Sequence, residues 1–446
     1  MRAYRSTLAS GTNAGGKYTV SISRDGELTP LGSSYAYAFQ GNTSIIDNVI
    51  VGKRVAQCNY MFDGCSNFNQ NIKLYGAVRK CVGMFRNCTN LDQNIGIPDG
   101  VSSCLDLFYG CSKLNQNIKL PSSATTCVNA FYGCSNLNQN IAIPSNVIAT
   151  DSMFGECSSL NQAISIPDKA MTCGSMFLNC HSLNQNVKLS NNAYDTRFMF
   201  YGCENLNQNI GIPASVTYAH SMFRGCSNLN QNIQLPTNLN ICLYMFYGCS
   251  KLNQRIGIPS SVNKDISYMF HGCTSLDQEI YIPDHVQNCD NLFSDTNMSS
   301  IGHMPTNAEI CNNMFRNSKF NSPMYMPNNV RYMDNMFANT KMNSDITFFR
   351  SAQVWTMNYL LSGCKDFGAN IYIDLDLGAR NCAGMLYDCN LYKRKNIHCT
   401  NRGLSTLLIN TSPSSIVRDA ITWSYSSDGY YYNTYYNIYI YDDIPW

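Results

Sequence analysis

Charge is the scarcest property of this sequence. Asp, Glu, Lys and Arg make up 13% of the 446 residues, and the formal net charge is +2. Soluble domains usually carry about 25% charged residues, so polar amides and hydroxyls have replaced charge here. No cluster of lysine and arginine is long enough to track a phosphate backbone, and we therefore expect no nucleic-acid partner.

Long apolar runs are also missing. No stretch of 18 apolar residues occurs, and residues 1–16 are polar, so the sequence predicts no membrane insertion and no secretory leader. A chain that folds where it is made meets a reducing cytosol, which favours thiols over a disulfide framework for its 22 cysteines. Prior removal of a leader is the alternative.

Motifs for catalysis and for cofactors are absent as well. The sequence has no Gly-x-Gly-x-x-Gly, no Walker loop, no His-Glu-x-x-His and no Cys-x-x-Cys, and its six histidines fall at unrelated positions. Histidines do not accompany the cysteines at the spacing of zinc ligands. We predict a protein that is not an enzyme and has no catalytic residue, no cofactor and no metal site.

A strict repeat is present instead. Ten phenylalanines are each separated by 23 residues, and the same position then recurs at spacings of 22 to 25 residues. This predicts about 16 coils of about 23 residues, in which each coil buries its apolar face against its neighbours. The marker residues, one per coil, are Phe39, Phe62, Phe85, Phe108, Phe131, Phe154, Phe177, Phe200, Phe223, Phe246, Phe270, Phe293, Phe315, Phe337, Leu361 and Leu386.

The apolar period changes within each coil. Ile95 and Ile97 alternate with polar residues and are followed by a proline, as in a short strand that ends in a turn. Cys104, Phe108 and Cys111 have a spacing typical of a helical or 3₁₀ face. The predicted fold class is a repeat solenoid with a short parallel β-strand and a helical or 3₁₀ turn per coil.

The repeat resembles a known family. Residues 61–72 read Met-Phe-Asp-Gly-Cys-Ser-Asn-Phe-Asn-Gln-Asn-Ile and resemble the repeat of BspA-like bacterial surface proteins. Residues 212–216, Ile-Pro-Ala-Ser-Val, are similar to BspA-type leucine-rich repeats. The resemblance covers about residues 39–395 and implies a right-handed, leucine-rich-repeat-like solenoid used for adhesion, in bacterial surface proteins and some phage tail proteins. A second cysteine, as at Cys104 or Cys242, departs from that pattern.

Two recurring polar positions are interpreted as structural. Cysteines recur four residues before and three residues after the marker, where small buried thiols suit a tight interior; disulfides between neighbouring coils are the alternative under oxidation. An Asn-Gln-Asn block, such as residues 138–140, precedes each strand. We expect its amides to hydrogen-bond between coils rather than to form a sugar-binding surface.

The residue between the two strand isoleucines points outward and varies from coil to coil. Recognition on a rigid frame suits such a row, and a merely solvated face is the alternative. Four members of the row are candidate ligand-binding residues: Lys73, Lys119, Lys188 and Tyr281.

The C-terminal segment is rich in tyrosine, and Asp428-Gly429 is placed as a hairpin turn. We predict three parts: an N-terminal cap or attachment segment at 1–38, the solenoid at 39–395, and a β-structured C-terminal module at 396–446. The module either caps the last coil or grips a ligand through its aromatic rings. Its candidate ligand-binding residues are Trp423, Tyr425, Tyr430, Tyr432, Tyr436, Tyr439, Tyr441 and Trp446.

Three functions fit these features. The first is a host-recognition protein of a bacteriophage tail fibre or baseplate, assembled in the host cytoplasm and located in the virion. It would bind a host-cell surface receptor, either carbohydrate or protein, and contact other virion or surface proteins through its N-terminal segment. The second is a bacterial cell-surface adhesin, and the third is a structural virion or scaffold protein without receptor binding. The sequence leaves open whether the chain forms a homo-oligomer.

Overall fold

The structure, a computed structural model, describes most of the repeat region and parts of both termini. The described residues are 9–13, 16–20, 34–43, 45, 49–51, 54–348, 354–373, 384–389, 395–399, 424–425, 430–433 and 438–442. The chain divides into two units, residues 1–236 and 237–446. Each unit is described by itself.

The strands are short. β1 and β2 form an antiparallel pair near the N-terminus, and the other strands belong to the repeats or to the C-terminal segment. Their bounds are β1 Ala9–Asn13, β2 Gly16–Val20, β3 Val49–Ile50, β4 Ile72–Lys73, β5 Ile164–Ser165, β6 Val187–Lys188, β7 Met324–Met326, β8 Ile346–Phe348, β9 Asn370–Ile373, β10 Lys395–Cys399, β11 Ser424–Tyr425, β12 Tyr430–Asn433 and β13 Ile438–Asp442.

Neighbouring coils are joined mainly by the segment around the marker residue. In the second coil, the Phe62 N–H donates to the Met84 carbonyl of the next coil at 2.9 Å. The N–H of Asp63 instead donates to Tyr60 within its own coil, at 3.2 Å. This alternation continues along the segment, so every second N–H bonds to the next coil and the others close tight turns. The backbone donors of a buried segment are thereby satisfied without a helix.

The prediction of a helical or 3₁₀ turn was wrong: the described residues contain neither element. The residues two before and two after each of the sixteen markers have positive φ, as at Tyr60 (52°) and Gly64 (74°). Helices need negative φ throughout, whereas a left-handed residue at the third position of a four-residue turn is typical of a type II turn. A series of such turns produces the same apolar spacing that the sequence suggested for a helix.

The markers form the centre of the core. From Phe39 to Phe223 in the first unit, neighbouring rings are stacked with centroids 5.3 to 5.8 Å apart. From Phe246 to Phe337 in the second unit the corresponding distances are 5.6 to 5.9 Å. These phenylalanines are at most 1% exposed. The predicted vertical register of the markers is confirmed within each unit.

Parallel pairing between coils is also confirmed. In the first unit β3 pairs with β4 and β5 with β6, and isolated parallel bridges recur five residues before the marker, beginning with Ser34 and Gln57. The second unit has a seven-stranded sheet in the order β11-β12-β13-β10-β9-β8-β7. Its strands from β7 to β10 and on to β13 are parallel, and β11 to β13 are antiparallel. Strands β11 to β13 thus extend the sheet of the second unit, and β13 pairs in parallel with β10.

Candidate functional site

The cysteine positions are part of the core. In the described part of the chain, twenty cysteines are buried and carry free thiols. In the position three after the marker, the thiol donates to the carbonyl of the preceding marker, as from Cys65 Sγ to Phe39 at 2.9 Å. Burial raises the pKa of Cys58 and of Cys65 to about 12, so both stay protonated at neutral pH. These thiols are structural groups and not nucleophiles.

The amide block is also structural. Asn138 Oδ1 accepts the backbone N–H of Asn161 at 2.9 Å and the side-chain amide of Gln162 at 3.0 Å. Asp92 holds the equivalent place two coils before Asn138, and its Oδ1 accepts the backbone N–H of Asn115 and the side-chain amide of Gln116 in the same way. The predicted hydrogen bonding between coils is confirmed.

In the first unit the outward row is sparse. Lys73, Lys119 and Lys188 are exposed, as predicted, but they are separated by two and three coils, or roughly 10 and 14 Å at the usual strand spacing. The Lys73 ammonium lies 5.2 Å from the centroid of the Tyr75 ring. Lys119 lies beside a shallow cavity of about 460 Å³. The structure does not bring these lysines together into one site.

In the second unit the row becomes aromatic. Tyr281 and Tyr325 are 55% and 65% exposed, and Tyr372 is 38% exposed. Strand register places Tyr325 beside Thr347, and Thr347 beside Tyr372. The ring centroids of Tyr281 and His303 are 4.9 Å apart. We call Tyr281, His303, Tyr325, Thr347 and Tyr372 the aromatic row.

Sequence reasoning found only Tyr281 of this row. The repeat shortens from 23 to 22 residues after Phe293, so an equal-period count passes over His303, Tyr325 and Thr347. The prolines that follow Met304 and Met326 were the available signal, because the outward residue lies two positions before each of them.

A cavity adjoins the row. It encloses about 520 Å³ and is lined by His303, Tyr325, Asn328 and Asn329, among others. His303 Nε2 donates to Asp284 Oδ1 at 3.2 Å, and the same oxygen accepts the backbone N–H of Thr306 at 3.1 Å. The Thr306 N–H and, to a smaller extent, His303 lower the pKa of Asp284. An ionised carboxylate thus orients the imidazole.

The predicted C-terminal candidates are only partly described. Tyr425, Tyr430, Tyr432, Tyr439 and Tyr441 belong to β11, β12 and β13, where Tyr430 pairs with Tyr441 and Tyr432 with Tyr439. Trp423, Tyr436 and Trp446 lie outside the described residues.

Backbone register links these strands to the aromatic row. Tyr372 of β9 is paired with His398 of β10, and His398 with Tyr441 of β13. The backbone positions of the row therefore continue into the tyrosine-rich segment.

Other kinds of site were sought in the described part of the chain. It holds no group of three or more His, Cys, Asp or Glu that could bind a metal ion. Among the same residues, no helix has the length and apolar character needed to cross a membrane. The histidines have separate surroundings: His285 Nε2 contacts the Val262 carbonyl at 2.7 Å, whereas His271 stacks on Tyr247.

A family model and two solved structures are similar to this chain. The family model for the BspA-type leucine-rich repeat region matches in six copies, with residues 82–207, 151–277, 196–321 and 240–367. A crystal structure of a leucine-rich repeat protein from Bacteroides ovatus has 20% identity and a TM-score of 0.53, over 88% of this chain and 86% of that one. A leucine-rich cell surface protein from Faecalibacterium prausnitzii has 16% identity and a TM-score of 0.38, over 92% and 99%. No curated protein matches the chain. The likeness to the Bacteroides protein shows a shared leucine-rich-repeat fold.

Proposed function

Because this chain belongs to the BspA-type leucine-rich repeat family, we propose that it is a non-enzymatic adhesin that recognises its ligand at a bacterial cell surface. The family match covers more than half of the chain and confirms the resemblance seen in residues 61–72. The observation that carries the proposal is the aromatic row, whose three tyrosines are exposed on a frame in which the marker phenylalanines and twenty cysteines are buried.

The contrast between the constant positions of the repeat and its variable outward positions supports a role in recognition. Markers, thiols and the amide block repeat because each bonds or packs against the next coil, so they have little freedom to vary. The outward row lies on the same frame but changes from glycine and lysine to tyrosine and histidine. Variation at exposed positions of a rigid scaffold is a common arrangement for binding sites.

A non-enzymatic role suits the chemistry of the described residues. The buried thiols are protonated, and His271 and His285 have different contacts. His303, the one histidine in the aromatic row, is held by a carboxylate, and its ring lies 4.9 Å from the tilted Tyr281 ring. This arrangement supports binding, because an aromatic ring and an oriented imidazole offer contact area and hydrogen bonds.

The bacteriophage-tail hypothesis and the scaffold hypothesis remain predictions. Neither the family match nor the fold of the Bacteroides protein distinguishes a virion from a cell envelope. We prefer the adhesin proposal to these two hypotheses because the repeat in residues 61–72 resembles that of bacterial surface proteins.

Location is tested by immunogold electron microscopy of the source culture with antibodies against the intact chain. We expect gold on the cell envelope. Gold on phage tails would contradict the adhesin proposal and support the virion hypothesis.

Recognition is tested separately by flow cytometry. Fluorescently labelled intact chain is added to bacterial cells, to epithelial cells and to beads coated with mucin. We expect saturable binding to at least one of these surfaces, competed by unlabelled chain. Absence of saturable binding to all three would contradict a recognition role.

A further inference from the structure

We propose that the aromatic row and the adjoining cavity bind a neutral, β-linked oligosaccharide of pyranoses with equatorial hydroxyls. This inference rests on the proposed recognition function and names its ligand class and its site. The row consists of Tyr281, His303, Tyr325, Thr347 and Tyr372, all in the second unit.

The row has the spacing that an extended sugar chain needs. Tyr325 and Tyr372 flank Thr347 in adjacent parallel strands, so equivalent backbone atoms of the two tyrosines lie roughly 10 Å apart. Thr347 lies between these two tyrosines in the strand register, and both tyrosine side chains are exposed to solvent. Rings at alternate positions can stack on the C–H faces of an extended chain, while the hydroxyl between them meets its polar edge.

The rings lose little freedom on binding. Tyrosine has two side-chain torsions, and its backbone here is fixed by pairing to neighbouring strands on both sides of Thr347. The Tyr281 ring packs near the His303 ring at 4.9 Å, which restrains both. Preorganised rings of this kind favour a ligand that offers flat apolar faces.

Polar groups lie where sugar hydroxyls would be expected. Asn328 and Asn329 line the same cavity as Tyr325, and Asn329 Nδ2 donates to Asn307 Oδ1 at 3.3 Å. The bond from His303 to Asp284 leaves the other imidazole nitrogen as an acceptor when the ring is neutral. Amides and an oriented imidazole supply both donors and acceptors, which suits a hydroxyl-rich ligand.

The charges favour a neutral sugar. The residues that line the cavity include no lysine or arginine, and the Asp284 carboxylate lies beside it. An anionic saccharide would meet a negative charge without a compensating cation. The outward row of the first unit differs from the aromatic row, because its lysines are far apart and it has no pair of exposed rings.

The test is isothermal titration of the intact chain with cellotetraose and with chitotetraose. A sulfated heparin tetrasaccharide serves as the charged comparison. We expect at least one neutral tetrasaccharide to bind and the sulfated one to bind more weakly. Failure of both neutral probes to bind would overturn the proposal, as would preferential binding of the sulfated probe.

Variants then locate the site. Tyr325→Ala and, independently, Tyr372→Ala should each weaken binding about tenfold, whereas Tyr325→Phe should retain most of it. Tyr218→Ala removes an exposed tyrosine in the first unit and should leave binding unchanged. Thermal melting checks that each variant is folded. Binding that survives both alanine variants would place the sugar elsewhere and overturn the proposal.

The two proposals fail in distinguishable ways. If the intact chain binds cells or mucin but neither neutral tetrasaccharide, recognition stands and the saccharide site is wrong. If Tyr325→Ala loses both tetrasaccharide binding and cell binding, both are supported.

Discussion

Single side chains in this protein stabilise it by bonding to the coil before or after their own. Asn138 is representative, because its carbonyl oxygen accepts one backbone N–H and one side-chain N–H of the next coil. Asp92 shows that the essential element is an acceptor oxygen and not the amide as a whole. Sequence alone predicted bonding between coils from the constancy of this block, but it did not identify which atom accepts.

We expect Asn138→Ala to lower the free energy of unfolding by about 1–3 kcal/mol, because it leaves the Asn161 N–H without its acceptor. Asn138→Asp is the matched control and should cost much less, since Asp92 already serves at an equivalent position. Urea unfolding of the two variants and the parent measures the difference. Equal losses for both variants would show that the acceptor oxygen is not the stabilising feature.

The buried thiols make the folded protein less stable at alkaline pH. Burial raises the pKa of Cys58 to about 12 and of Cys173 to about 11, above an ordinary value of 9.0. Unfolded thiols ionise near pH 9 while the folded ones keep their protons. The contribution of each thiol is therefore complete below about pH 9 and is lost as pH rises towards the folded pKa.

We expect the free energy of unfolding to fall between pH 9 and pH 11, by up to about 1.4 kcal/mol per pH unit for each such thiol. Urea unfolding at several pH values measures the slope. Cys173→Thr is the control, because Thr150 and Thr196 occupy the equivalent place in the neighbouring coils. In this variant the free energy of unfolding should fall less steeply with pH, by the contribution of one thiol. An unchanged slope would contradict the role of Cys173 in the pH dependence.

The element that defines each coil is a run of tight turns, and it is here that sequence reasoning went furthest wrong. The spacing of Cys104, Phe108 and Cys111 fits a helix, but it fits equally a chain with left-handed residues on both sides of the marker. Asp106, two before Phe108, has φ 53°. Burial pattern alone does not distinguish these conformations, because both put the same side chains inside.

We expect Gly133→Val to destabilise the first unit by about 1–2 kcal/mol, because Gly133 has φ +74°. Space is not the cause: a Cβ there would meet Gly110 at an ordinary 3.5 Å. Gly133→Asn is the control, since Asn87 and Asn179 adopt φ 57° and 55° at the same place. Chemical unfolding should rank glycine first, asparagine next and valine last. A valine variant as stable as the parent would contradict a left-handed requirement.

At the scale of the whole molecule, the repeat region is held together by contacts between neighbouring coils. Side-chain and backbone bonds between coils span one coil length, as in the pair Phe62 and Met84. The 23-residue period therefore sufficed to predict the parallel coils and the stacked core. It did not suffice for most of the aromatic row, because His303, Tyr325 and Thr347 follow the change of period after Phe293.

We expect deletion of one whole coil, residues 109–131, to leave a folded protein whose thermal midpoint falls by no more than a few degrees. Phe108 would then be followed by a coil equivalent to its own neighbour, and the bonds between coils would re-form. Deletion of residues 109–119, about half a coil, is the control and should unfold part of the first unit. Circular dichroism and limited proteolysis compare the two. Equal damage from both deletions would contradict nearest-neighbour stabilisation.

The bonding offset of one coil also has a consequence for how such a gene changes. Unequal crossing-over between similar repeats adds or removes whole coils, and each product keeps every donor opposite an acceptor. Lineages can therefore gain or lose whole coils without first evolving a new core. Each coil gained or lost also adds or removes one residue of the outward row, so the side chains that lie next to each other on that row change with the number of coils.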